Sequence, residues 1–322
     1  MYFNRVISNP SGKPHLNWYG QLELLKSRGL VVEDENLALR TLKSENYYRF
    51  RGYFIPFLEG QDGDSSSEAF RNGVTFEDIV RVVQFDQRLR TLVFEATTQF
   101  ELRLRSAIAY FGGAHDPHFH LSGNGLHPDF IAGREDGTSR HSDWLREYDA
   151  KMLRSASEPF VKWHQRNYSG RLPIWAAAEI LDFGSLSRLL GGMSQSLSSQ
   201  VAEFFGCGSS NFKSWVASLN ELRNHAAHQT RLWNRSFPRT IRSRKLQLPE
   251  PLGHLASLDQ PSLHLLYPRI AILAWFDSDD HLDIGFRMRL IKILGNFPVN
   301  SLFGTEQMGF PAEWRSLDIW TP

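Results

Sequence analysis

The densest chemistry in the 322-residue chain lies in Leu219-Asn-Glu-Leu-Arg-Asn-His-Ala-Ala-His-Gln-Thr-Arg-Leu-Trp-Asn-Arg235, where Arg223, Asn224, His225 and His228 fall within six residues. Imidazole titrates near neutrality. A histidine here can therefore take a proton from a ribose 2′-hydroxyl or give one to a leaving 5′-oxygen, while a neighbouring guanidinium stabilises the charge building on phosphorus. That chemistry needs no metal. On a regular helix, at about 100° per residue, Asn224 and His228 share a face and Arg223 lies about 140° round from His228. Arg223 then meets His228 only through its long side chain or at a distorted helix start. His225 points elsewhere and reads as a packing or supporting histidine.

Basic residues are concentrated after this point. Arg223, Arg231, Arg235, Arg239, Arg242, Arg244 and Lys245 follow one another with no Asp or Glu between Asn224 and Leu248. The whole chain carries 36 basic and 35 acidic side chains, a net +1, so any field that recruits a polyanion is local. The strip has two open explanations. Its guanidiniums bind phosphates while Trp233 or Phe237 stacks on an unpaired base, or it is a solvated helix end with core aromatics.

Other chemistry is thin. His115-Asp-Pro-His118-Phe-His120 could supply metal ligands, but no second cluster at a recognised spacing accompanies it, so a turn is expected and no metal. The single cysteine, Cys207, is flanked by Gly206 and Gly208 and reads as a small buried residue. Absence of a glycine-rich phosphate loop, a nucleophile elbow and a His-Glu-x-x-His pair removes the commonest nucleotide-binding, hydrolase and metalloprotease classes. No cofactor is expected.

Helices must position these residues. With 41% hydrophobic, 13% aromatic and 22% charged residues the chain is not disordered, and apolar runs such as Ile270 to Phe276 are too short to span a bilayer, so a soluble protein is expected. The start, Met1 to Arg5, lacks the features of a secretion signal, which makes the cytoplasm the expected compartment. Leu16 to Leu58 predicts two or three short helices. Its cluster of Tyr47, Tyr48, Phe50, Tyr53, Phe54 and Phe57 is either a core wedge closed by Pro56 or a base-stacking platform. Glu59 to Asn72 reads as an exposed loop.

Thr75 predicts the cap of a long amphipathic helix whose apolar positions run Ile79, Val82, Val83, Leu89, Leu92, Val93, Ala96, Phe100, Leu104 and Ile108, ending at Gly112-Gly113. Its other face, with Arg81, Arg88, Arg90, Glu95, Glu101, Arg103 and Arg105, is expected to be solvated and partly paired. Residues 112–143 read as loop with short helical turns. Further helices are expected over Ser142–Tyr168, Ile174–Leu181, Ser185–Met193, Leu197–Phe205, Asn211 to about Arg235, and Leu263–Leu294 with a kink near Pro268. No period-two alternation or hairpin signal appears. The expected fold is all-α.

Arg223-Asn-His-Ala-Ala-His228 resembles the R-x4-6-H motif of HEPN-domain ribonucleases, and the polar residue after the arginine together with the trailing Arg231-Leu-Trp-Asn-Arg235 is similar to the abortive-infection (Abi) branch, the AbiD/AbiF-like proteins. Other segments share that likeness in order and spacing. They are Tyr47-Tyr-Arg-Phe50 with Tyr53 and Phe57, Thr75 to Ile79, Phe85 to Arg90, Glu101 with Arg103, Pro173-Ile-Trp175, Phe183 to Ser187, and the closing Met308 to Trp314. The resemblance covers roughly residues 16–316. A second match in spacing, Arg134 to His141, lies in a Gly-rich loop and is discounted.

The resemblance implies a multi-helix HEPN-like bundle with additional N-terminal helices: a helical segment over 1–60, a core over 73–300 and a tail over 301–322. It also implies metal-independent RNA cleavage in bacterial defence against phage. Such nucleases set two motifs face to face, and this chain has one credible copy, so a homodimer is implied whose composite site takes Arg223 and His228 from each subunit, with Asn224 orienting the phosphate or the histidine. The strip Arg231, Arg235, Arg239, Arg242, Arg244 and Lys245 would hold RNA. RNA is the expected partner, as substrate and as a bound non-coding RNA, with no DNA and no membrane. A catalytically silent RNA-binding module is the alternative, and a purely protein-docking scaffold would leave the acid-free strip without a purpose.

Overall fold

The computed structural model describes residues 15–60, 68–278, 285–298 and 302–321. The opening residues and half of the stretch expected as a loop, at 61–67, lie outside the described residues. Two compact units divide the chain, one built from residues 1–88 and 295–305, the other from 89–294 and 306–322. The division falls inside a helix and the first unit closes with a distant segment, which no shift of composition along the chain reveals.

In the first unit the three short α-helices each start on a side-chain cap. Asn17 accepts from the Gly20 N–H at the start of α1 (Trp18–Ser27), Asp34 caps α2 (Glu35–Ser44) and Asn46 caps α3 (Tyr47–Arg51). The aromatic cluster is mainly a core wedge. Phe50, Tyr53, Phe54 and Phe57 are buried, with Phe50 and Phe54 ring centroids 5.0 Å apart and Phe57 4.9 Å from Phe303. Tyr53 donates its hydroxyl to the buried Asp86 carboxylate at 2.6 Å. Tyr48, at 71% exposure, is the member left outside.

The long helix α4 (Phe76–His115) begins as the sequence predicts. Thr75 Oγ1 accepts from the Asp78 N–H and the Asp78 carboxylate accepts from the Thr75 N–H, a reciprocal capping box. Its end differs. Gly112 and Gly113 continue the helix to His115, because a side chain on Gly112 would lie 2.3 Å from the Phe119 ring and one on Gly113 2.9 Å from the Trp175 ring. These glycines permit close packing rather than termination.

The second unit then runs through α5 (Phe119–Ser122), α6 (Pro128–Ile131), α7 (Arg140–Arg154), α8 (Pro159–Asn167), α9 (Ile174–Ala177), α10 (Phe183–Gly192), α11 (Gln195–Phe204), α12 (Ser209–Ala227), α13 (Leu266–Ser278) and α14 (Phe286–Gly295). Proline sets two of these boundaries. Pro159 opens α8 and splits the helix expected over 142–168, while Pro268 sits in the first turn of α13, where its missing N–H costs nothing, instead of kinking a helix that reaches Leu294. Helix α12 is the hub, packed against α10, α11 and α13. Phe100 of α4 anchors the apolar centre, with ring centroids 4.7 Å from Phe276, 5.4 Å from Phe205, 6.0 Å from Phe183 and 6.4 Å from Phe212. Residues 306–322 belong to the same core through the buried Trp314, Ile319 and Trp320.

Among the described residues there is no strand, only three isolated bridges, and the fold is all-α. No helix among them is long and apolar enough to cross a membrane. Truncating Phe100 to Ala should lower unfolding stability by about 3–5 kcal/mol, because the four facing rings cannot all collapse into the gap. Leu153→Ala, at 77% exposure, should stay within about 0.5 kcal/mol. Urea midpoints of the two variants check this, and equal midpoints would contradict the placement of the core.

Candidate functional site

The end of α12 carries the residues singled out by sequence. Its buried face, Phe212, Trp215, Val216, Leu219, Leu222 and Ala226, is fixed by the surrounding helices, so Arg223, Asn224 and His225, between Leu222 and Ala226, lie half-buried at the edge of the core. The helix stops at Ala227, well before the Arg235 expected. Gln229 takes a left-handed φ of 56°, its N–H reaches the Ala226 carbonyl at 3.1 Å, and the Thr230 N–H reaches the His225 carbonyl at 3.0 Å. This is a Schellman ending with glutamine where glycine is usual. It leaves His228 as the C-cap residue, exposed, with no hydrogen bond to its ring among the described residues.

Arg223 faces the other way. Its Nη2 donates to Glu101 Oε2 at 3.0 Å, its Nη1 donates to Asn224 Oδ1 at 3.1 Å, and the guanidinium lies over the Phe183 ring at 5.8 Å. Glu101 comes from α4. Its other oxygen accepts from Arg105 at 3.2 Å, and Arg105 also donates to the Leu181 carbonyl at 3.0 Å, just before α10 begins. The three charged side chains are only 13–21% exposed, so their mutual attraction is screened less than a surface pair would be. Within one chain, Arg223 is brought to Asn224 and Glu101, while His228 stands at the helix end toward solvent.

Glu101 and Arg105 correct the expected solvated face of α4, as does Arg90, which is 2% exposed. The spacing of four residues between Glu101 and Arg105 signals a helical pair. Nothing in the sequence signals that the same carboxylate reaches a residue 122 positions away.

His225 is a packing histidine. Nδ1 lies 2.8 Å from Thr230 Oγ1, and the ring packs edge-on to Phe237 at 5.5 Å. Burial, reinforced by Arg235, Arg269 and His228, holds its pKa below the ordinary value. Beneath Phe237 lies the fully buried Arg269, whose guanidinium sits 4.3 Å from that ring and donates to the carbonyls of Leu263, Leu265 and Arg239. Burial pulls its pKa down to about 10, with Glu221 opposing.

Beyond α12 the basic strip carries no α-helix, although Lys245 opens a short 3-10 turn. Trp233 and Phe237 are 0% exposed, which excludes them as stacking surfaces and assigns them to the core. Arg231 and Arg235 are half-buried, Arg235 folding its Nε onto the Arg231 carbonyl at 2.6 Å. The following chain runs back along α12, tied through its backbone. The Thr240 carbonyl accepts from Ser214 and the Arg242 N–H donates to the same hydroxyl, the Arg242 carbonyl accepts from Trp215, and Arg244 exchanges bonds with Asn211. With the backbone satisfied and Ile241 buried, Arg239, Arg242, Arg244 and Lys245 project to solvent. Asn211 and His228 are 17 residues apart in sequence, about 25 Å along the helix axis at 1.5 Å per residue.

The other sequence candidates do not assemble. Arg134 pairs with Asp143 at 2.8 Å, while His141 is buried with Nε2 donating to the His120 carbonyl at 2.8 Å. Burial pushes the Cys207 thiol pKa up and away from nucleophilic use. Among the described residues no group of three His, Cys, Asp or Glu is placed to hold a metal ion. His120 itself is packed against Trp144 and Tyr148, with neither ring nitrogen hydrogen-bonded among the described residues.

These features define an all-α protein with a polar, histidine-bearing helix end and an exposed basic strap. The family model described as Abi-like protein matches residues 40–234, more than half of the chain, and the chain belongs to that family. The matched span includes Glu101, Arg223, Asn224 and His228, and stops before Arg235 and the rest of the strap. No curated protein and no solved structure matches the chain.

Burial pushes the His120 pKa from 6.5 down to about 3. The fold holds it neutral, so its stabilising contribution is complete above about pH 6.5 and is lost as pH falls, when only the unfolded chain takes up the proton. His120→Leu should therefore flatten the acid limb of the stability curve between pH 6.5 and 3, by at most about 1.4 kcal/mol per pH unit. Denaturation midpoints across that range measure it, and parallel curves for variant and parent would refute it.

Proposed function

We propose that this chain is an abortive-infection defence protein that cleaves RNA as a metal-independent HEPN-type endoribonuclease, its active site completed by a second copy of the chain. The observation that carries this proposal is the end of α12, where a guanidinium held at the edge of the core stands five residues before an unencumbered imidazole. Among the described residues no hydrogen bond joins Arg223 to His228 within one chain. Two copies opposed at this end would set the imidazole of each against the guanidinium of the other.

In the proposed reaction His228 of one copy removes the ribose 2′-proton, and the 2′-oxygen attacks the adjacent phosphorus. Arg223 stabilises the extra charge on the phosphoryl oxygens, and the 5′-oxygen leaves with a proton from His228 of the other copy. The phosphorus–5′-oxygen bond breaks as the 2′-bond forms, giving a 2′,3′-cyclic phosphate and a 5′-hydroxyl. Asn224 orients Arg223. Arg239, Arg242, Arg244 and Lys245, together with the half-buried Arg231 and Arg235, hold the flanking RNA by its phosphates.

A second proposal, RNA binding without turnover, draws on the Glu101–Arg223 ion pair, which already compensates much of the guanidinium charge in the single chain. The two separate cleanly by experiment. For the nuclease, Arg223→Ala or His228→Ala should cut cleavage of single-stranded RNA by about 100-fold or more, with thermal unfolding and much of the RNA affinity retained and wild-type cleavage surviving a chelator. End-group analysis should find cyclic phosphates. Products carrying 5′-phosphates, or full activity in His228→Ala, would overturn the mechanism, and RNA that copurifies but is never cut would favour the silent module.

A further inference from the structure

The carboxylate of Glu101 is shared between two guanidiniums, and the sharing has a direction. Arg105 is fixed first, because its Nη2 bonds both Glu101 Oε1 and the Leu181 carbonyl, a backbone atom at the head of α10. Glu101 is thereby held from one side and offers Oε2 to Arg223 Nη2. On Arg223 the two Nη atoms each spend one hydrogen, on Glu101 and on Asn224 Oδ1, and Nε is buried without a hydrogen-bond partner among the described residues. A guanidinium carries two hydrogens on each Nη, so one on each is not used by these two bonds.

We infer that Glu101 is the positioning residue of the proposed nuclease: relayed from Arg105, it aims Arg223 so that its two remaining Nη hydrogens meet the phosphate as a pair. The inference rests on the proposed activity but makes a claim about Arg223 that holds with or without turnover. Glu101 touches no substrate. It lowers the orientational freedom of a long side chain before RNA arrives, which is where a displacement of about 1 Å costs on the order of 100-fold in rate. It also balances one of two adjacent cations. Its removal should therefore leave RNA binding equal or tighter while slowing the chemical step, a divergence that loss of folding would not produce.

The test compares Glu101→Ala and the near-isosteric Glu101→Gln with wild type. Steady-state cleavage of a single-stranded RNA gives kcat and KM, binding of a 2′-O-methylated RNA that cannot be cut gives affinity, and mass spectrometry follows phenylglyoxal modification of Arg223. Glu101→Ala should lose about 10–100-fold in kcat with KM unchanged or lower. Glu101→Gln, which keeps one acceptor, should recover part of that loss. Arg223 should react faster with phenylglyoxal in Glu101→Ala than in wild type, while Arg242 and Arg244 react equally in both. Faster turnover in Glu101→Ala would mean that Glu101 restrains the site and would overturn the inference, as would a kcat loss matched by an equal loss of affinity. Wild-type protein that cuts no RNA defeats the proposed nuclease alone. In that case unchanged Arg223 modification in Glu101→Ala still overturns the positioning role, and faster modification supports it.

Discussion

A half-buried guanidinium must be paired, and the way Arg223 is paired organises the rest of this site. Glu101 reaches it from α4, Asn224 from the neighbouring position on α12, and the Phe183 ring lies beneath. The aromatic centre around Phe100 sets the spacing of α4, α10, α12 and α13, and the next residue on α4 is Glu101. Core packing thus fixes a carboxylate at one place, and that carboxylate fixes the arginine. His228 obeys a different constraint. The Schellman turn closes the last carbonyls of α12 and leaves its C-cap residue outside. One helix end therefore carries an immobilised cation and a free imidazole, and the chemistry proposed for it depends on that contrast.

Beyond His228 the chain doubles back and delivers positive charge along α12 rather than at its tip. Asn211, Ser214 and Trp215 hold the backbone of residues 240–244, and Arg269 satisfies carbonyls at the base of the same segment. Because the backbone makes these attachments, the side chains of Arg239, Arg242, Arg244 and Lys245 stay in water. A strap built this way presents four exposed cations, Arg239, Arg242, Arg244 and Lys245, on a backbone held by α12. No aromatic from the segment contributes, since Trp233 and Phe237 support it from inside.

The helical class, the Thr75 cap and most of the apolar face of α4 were legible in the sequence, because spacing and capping chemistry are local. The end of α12 was not. His228-Gln-Thr230 contains neither glycine nor proline, so the left-handed residue that stops the helix carries no compositional mark. Gly112-Gly113 misleads in the opposite sense, looking like a stop while serving the close approach of Phe119 and Trp175. Arg223, Asn224 and His228 stood out through residue type and spacing. Glu101 carried the family likeness, but its place beside Arg223 is a tertiary fact that arises only when α4 and α12 flank the same core. Family membership over residues 40–234 accords with that likeness at the level of the Abi-like proteins.

The central claim is that both copies of the chain contribute to one scissile phosphodiester. Mixing His228→Ala and wild-type chains at constant total chain concentration, with subunits exchanged to equilibrium, tests it most directly. Cleavage should fall as the square of the wild-type fraction, because every mixed pair lacks one imidazole. A fall in simple proportion to the wild-type fraction would show that each chain acts by itself and would contradict the account.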